Sequence, residues 1–201
     1  MRILTVYSLA ALSITLSSAS WGDDLALGQE AYFSGDYQAA LTAWQPLAEE
    51  GQAGAQFGMG LLYGNGFGVS LDDDLALKWY LLAAEQGHAE AQCNIAVMYA
   101  NGWGVPQDND EAFKWYNLSA AQGIVPAQVS LAKMYAGGYG AEKDNVQALK
   151  WFTIASKLGD NLPIGRSDEV ARAMSDDELA EAALLATAWI DEHQELLADQ
   201  Q

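Results

Sequence analysis

AEAQCNIAVMYANGWGVPQDNDEAFKWYNLSAAQG, residues 89–123, decides the fold, because the chain matches it again when slid by 36 residues in either direction. Residues 53–88, 89–124 and 125–160 are three consecutive copies of one unit. In them Ala55/Ala91/Ala127, Gln56/Gln92/Gln128, Tyr63/Tyr99/Tyr135, Gly66/Gly102/Gly138, Gly68/Gly104/Gly140 and Trp79/Trp115/Trp151 fall in register. A repeat of this length signals stacked supersecondary units, each too small to bury its own apolar face, so the expected architecture is a solenoid and not a globule around one centre.

Within the quoted copy, Ala91, Ile95, Met98 and Tyr99 stand at i, i+4, i+7 and i+8, one face of an α-helix. That helix should stop after the tyrosine, where Asn101-Gly102 and a second glycine at 104 favour positive φ. Asp72, Asp108 and Asp144 precede the next apolar stripe and supply an N-cap acceptor. Glu111 and Gln147 add the reciprocal partner of a capping box to the second and third copies. The second helix carries Ala112, Trp115, Tyr116, Ser119 and Ala120 on one face, and Gly87, Gly123 and Gly159 are expected to end the three copies of it as C′ glycines. A tryptophan stripe can serve as a sugar or cofactor platform, but at helical spacing beside alanines it reads as core.

These residues resemble the Sel-1-like repeat, a longer-looped relative of the tetratricopeptide repeat. The resemblance spans residues 53–160, about half the chain. Residues 21–52 are similar to a tetratricopeptide-type helical pair with a tight Gly35-Asp36 turn, and Pro46 should bend its second helix or disturb one turn. After a breaker at Asn161-Leu162-Pro163-Ile164-Gly165, residues 161–201 read as capping helices. The last of them opens with a capping box at Ser175-Asp176-Asp177-Glu178. The expected fold class is all-α, a right-handed α/α solenoid of helix-turn-helix repeats.

The first 20 residues stand apart. Met1-Arg2, a mostly apolar run over Ile3–Leu16 and the small residues Ser17-Ser18-Ala19-Ser20 form the pattern of a secretory signal peptide, with cleavage after Ala19 or Ser20. No other segment approaches the roughly 20 apolar residues of a membrane span. The expected destination is therefore the periplasm or the exterior. Cys93 is the only cysteine, so no intrachain disulfide is available, and it reads as a buried thiol.

The charge balance is strongly acidic, 27 Asp and Glu against 9 Lys and Arg, for a net −18. Such a field repels nucleic acid and anionic lipid and favours basic partners, while the clusters at helix starts also suit the helix dipole. Signals for chemistry are sparse. Ser130-Leu131-Ala132-Lys133 fits the S-x-x-K pattern of penicillin-recognising enzymes without the companion K-T-G or S-D-N. His88 and His193 are isolated, so no metal or catalytic dyad assembles from local spacing. The Asp72-Asp73-Asp74 and Asp108-Asn109-Asp110 runs lack the glycine and distal glutamate of a calcium loop. No catalytic residue, metal ligand or cofactor is assigned.

One row of residues points to a partner. Phe67, Trp103 and Tyr139 place an aromatic between the two loop glycines of every copy. Equivalent positions of a solenoid stack, so these three either form a ladder for an apolar or proline-rich segment or each tuck against the neighbouring unit. The family resemblance implies a non-enzymatic protein-binding adaptor, a regulator or assembly factor of envelope machinery. Relatives linked with β-lactams imply the alternative, a cell-wall ligand-binding or hydrolytic protein.

Overall fold

A computed structural model describes residues 21–159 and 165–198. The leader read at 1–20 and most of the breaker at 161–165 lie outside them. The described residues are all-α, with no strand, and belong to the helical repeat solenoid class. They divide into two compact units, residues 21–107 and 108–198. No helix among them is long and apolar enough to cross a membrane.

The first unit holds α1 (Trp21–Ser34), α2 (Tyr37–Glu49), α3 (Ala53–Asn65), α4 (Asp73–Glu85) and α5 (Ala89–Asn101), each packed on the next. Asp36 and Asp72 accept from the amides of Ala39 and Leu75, at 3.1 and 2.9 Å, and so start α2 and α4. Glycine removes the side chain wherever a large ring must pass. Trp44, 3% exposed, lies against the backbones of Gly28 and Gly58, and its indole N–H donates to the Leu25 carbonyl at 3.3 Å. Tyr80, fully buried, lies in the same way against Gly60. Burying side chains of this size contributes about 2 kcal/mol each, and a β-carbon at any of these glycines would overlap the ring. Pro46 does not end α2, which runs on through it to Glu49.

The second unit holds α6 (Asn109–Ala121), α7 (Val125–Gly137), α8 (Asn145–Leu158), α9 (Gly165–Arg172), α10 (Asp176–Glu192) and the single turn α11 (Glu195–Ala198). Helix α10 packs on α8, where its Trp189 meets Trp151 edge-on at 6.0 Å. This contact shields the last repeat, as a terminal cap must. Its capping box forms in full: the Ser175 amide donates to Glu178 at 2.7 Å and the Glu178 amide to the Ser175 hydroxyl at 3.4 Å. Those bonds from Ser175 hold the Glu178 carboxyl below its usual range.

Four expectations need correction. Asp108 caps α6 by accepting from the Asp110 and Glu111 amides, but Glu111 does not reach back, because its carboxylate is taken by Lys114 at 2.6 Å. Asp144 likewise caps α8 alone, accepting from the Gln147 amide at 2.9 Å. Gly87 and Gly123 end their helices at φ +89°, whereas Gly159 is extended at φ −121°; α8 is one residue longer than its counterparts and includes position 158. Of the repeat indoles only Trp151 is buried, under Trp189. Trp79 and Trp115 are half-buried.

Candidate partner-binding surface

The loops between the two helices of each repeat are built to one pattern. Gly66 and Gly68, Gly102 and Gly104, and Gly138 and Gly140 all sit near φ +70°, a region that costs other residues about 1–2 kcal/mol. Between each pair the aromatic amide donates five residues back: Phe67 to Leu62, Trp103 to Met98 and Tyr139 to Met134, at 2.9–3.0 Å. The aromatic Cα is thereby fixed at the same place in every copy.

The second glycine of each loop has a further duty. Gly68 lies against Tyr37, Gly104 against Asp73 and Gly140 against Asn109, in each case the first residue of the preceding unit's second helix. These three contacts are themselves spaced by 36 residues. Gln38 reinforces the first, its side-chain amide donating to the Gly68 carbonyl at 2.9 Å. Each loop is thus held on the start of a helix by close backbone approach.

The three aromatics nevertheless meet different surroundings. Phe67 is half-buried and lies flat on Tyr37, with centroids 4.3 Å apart and planes within 10°. Tyr32 flanks both rings, and its hydroxyl pKa is pushed up to about 12, first by burial and then by Tyr37. Trp103 is half-buried. Tyr139 is 56% exposed, its ring lying over the backbone of Gly137. Of the three rings, only that of Tyr139 is exposed to a partner, whereas Phe67 and Trp103 are half-buried.

Residues with reactive chemistry are engaged elsewhere. The Ser130 hydroxyl donates to the Pro126 carbonyl of its own helix at 2.8 Å, and Lys133 is exposed. His88 stacks on Phe57 at 4.6 Å with Nδ1 3.3 Å from the Glu90 carboxylate, and burial lowers its pKa against the pull of Glu90. His193 stacks on Trp189 at 4.1 Å. Cys93 is buried and outside any disulfide.

A structural role that spacing alone did not reveal belongs to the glutamine row. Gln56, Gln92 and Gln128 each donate a side-chain amide to the carbonyl eight residues earlier, on Ala48, Ala84 and Ala120, at 3.2–3.4 Å. Each joins the start of one helix to the end of the preceding one. Gln86 completes the first clamp by donating to the Gln56 oxygen at 2.8 Å and to Gly51 at 2.9 Å. In the third copy Leu158 replaces that glutamine, and the buried Gln128 oxygen is left without a partner.

The Sel1 repeat family model matches residues 53–88, 89–124 and 125–160. Among solved structures, a Sel1 repeat protein from Oxalobacter formigenes is 34% identical with a TM-score of 0.58, covering 67% of this chain and 98% of its own. The structure of c5321, a protective antigen present in uropathogenic Escherichia coli strains displaying an SLR fold, is 26% identical with a TM-score of 0.57. That match covers 89% of this chain and 47% of c5321. No curated protein matches.

Proposed function

The chain belongs to the Sel1 repeat family, whose members serve as protein–protein interaction scaffolds, and from that premise we propose that it is an exported, non-enzymatic adaptor working in the periplasm or outside the cell. The observation that carries the reading is the loop aromatic, held by one backbone pattern in all three repeats and exposed at Tyr139. A rigid scaffold presenting variable side chains from equivalent loops is a common arrangement for recognising a protein segment. The signal-peptide pattern at residues 1–20 supports export, and the acidic field supports a partner of basic or neutral surface. The role that fits these features is regulation or assembly of envelope machinery.

Crosslinking mass spectrometry on intact cells tests the reading. A photo-reactive residue at position 139 should capture one protein in stoichiometric yield, and the mature chain should begin at Ser20 or Trp21. Recovery of uncleaved cytoplasmic protein, or β-lactam turnover lost on Ser130→Ala, would replace this reading with another.

A further inference from the structure

A shallow, open groove of about 540 Å³ runs between α1 and α2. Leu27 and Ala31 line it from α1, and Ala39 and Ala43 from α2. Ala43 stands 36 residues before Trp79 and so occupies the place that holds an indole in all three later copies. Trp79 packs against the apolar cluster around Trp44 and Met59. At the equivalent place α2 offers only a methyl group, and Leu27 beside it is 56% exposed. The groove thus lies beside the position that carries an indole in the later copies.

Its polar lining is one-sided. The hydroxyls of Ser34 and Thr42 donate to carbonyls of their own helices, on Ala31 and Gln38, at 2.9 and 2.8 Å. What remains are the exposed carboxylates of Glu30 and Asp36, the latter also capping α2. Nothing nearby in sequence neutralises them: residues 21–77 contain nine Asp and Glu and no Lys or Arg, and the first cation after Arg2 is Lys78. An apolar slot with an uncompensated negative rim selects for an apolar residue flanked by positive charge.

We propose that this groove seats a basic amphipathic helix of a partner protein, with a bulky aromatic side chain over Ala43 and Lys or Arg side chains on Glu30 and Asp36. The proposal rests on the adaptor reading and adds to it a second surface and the chemistry of its occupant. A second copy of this chain is disfavoured, because its net charge of −18 would oppose the same carboxylates.

The mature full chain is titrated with a labelled synthetic amphipathic peptide carrying one Trp flanked by Lys at i−4, i−3, i+3 and i+4. Its Lys→Glu counterpart and a scrambled peptide of identical composition are run in parallel. The Lys peptide should bind, and weaken as salt is raised; the other two should bind at least tenfold more weakly. Ala43→Trp fills the slot with the residue that later repeats carry there, and should cost tenfold or more in affinity. Leu27→Lys, at an exposed position, removes the apolar contact and opposes the peptide's lysines, and should do the same without risk to the fold. Equal binding of the scrambled peptide, or affinity unchanged in both variants, overturns the proposal, as does dimerisation that Ala43→Trp abolishes. Binding lost on Tyr139→Ala but kept in Ala43→Trp overturns it while leaving the adaptor reading intact; absence of any protein crosslinked in cells removes both.

Discussion

The Phe67 ring lies parallel to that of Tyr37, 4.3 Å away, so the first loop aromatic is stacked on the preceding unit while its counterpart Tyr139 is more than half exposed. Positions that the repeat makes equivalent in backbone are thus unequal in energy. Offset or parallel ring pairs add about 0.5–1.5 kcal/mol to the area they bury.

Phe67→Ala should therefore destabilise the protein by about 2 kcal/mol in urea denaturation, with a coupling of about 1 kcal/mol to Tyr37→Ala in a double-mutant cycle. Tyr139→Ala should stay within about 0.5 kcal/mol of wild type. Equal costs at the two positions would mean that Tyr139 is a packing residue in solution.

The glutamine clamps should differ in the same way. Gln56→Met removes an amide bonded at both ends and should cost about 1–3 kcal/mol. Gln128→Met exchanges one donated bond for relief of a buried, unpartnered oxygen and should be close to neutral. Chemical denaturation of the two variants side by side decides it.

Two glycines of positive φ separate backbone strain from collision. Gly87 has nothing near an added β-carbon, so Gly87→Ala should cost about 1 kcal/mol for its φ of +89° alone. At Gly140 the same methyl would run into the Asn109 carbonyl, and Gly140→Ala should cost at least twice as much. Matched melting temperatures would show that the loop can lift off α6 freely.

His88 makes stability depend on pH above the carboxylate range. Burial holds its folded pKa below the unfolded value of 6.5, with Glu90 opposing. The neutral form is thus favoured in the native state, and stability is complete above pH 6.5 and falls as pH drops from there through the folded value. His88→Phe should flatten the fall in melting temperature between pH 7.5 and 5.5. An unchanged slope would assign the effect to another group.

Trp189→Ala should expose Trp151 and lower stability by about 3 kcal/mol. The tryptophan emission of the native state should shift to the red. A native spectrum at unchanged stability would remove α10 from its role as a cap.

How much of this was legible from the residues is seen at particular places. The helices of each repeat followed from the 3.6-residue stripe at Ala91, Ile95 and Met98 and from the glycines at 102 and 104, because periodicity and positive φ are local properties. The capping box at Ser175 formed as read, whereas the one at Asp108 failed because Lys114, one turn on, competes for the same carboxylate. The glutamine row was visible as a repeat but not as a clamp, since its acceptor lies on a different helix.

By itself the sequence determined the all-α class, the 36-residue period, the turn at each glycine pair and the family. All of these rest on interactions within a few residues or on repetition along the chain. Only the tertiary structure decided that Phe67 is stacked and Tyr139 is not, that Gln128 lacks the partner Gln56 has, and that an apolar groove opens beside Ala43. Each depends on what a neighbouring helix brings within about 4 Å, and contacts of that range between distant residues are not encoded in any one stretch of the chain.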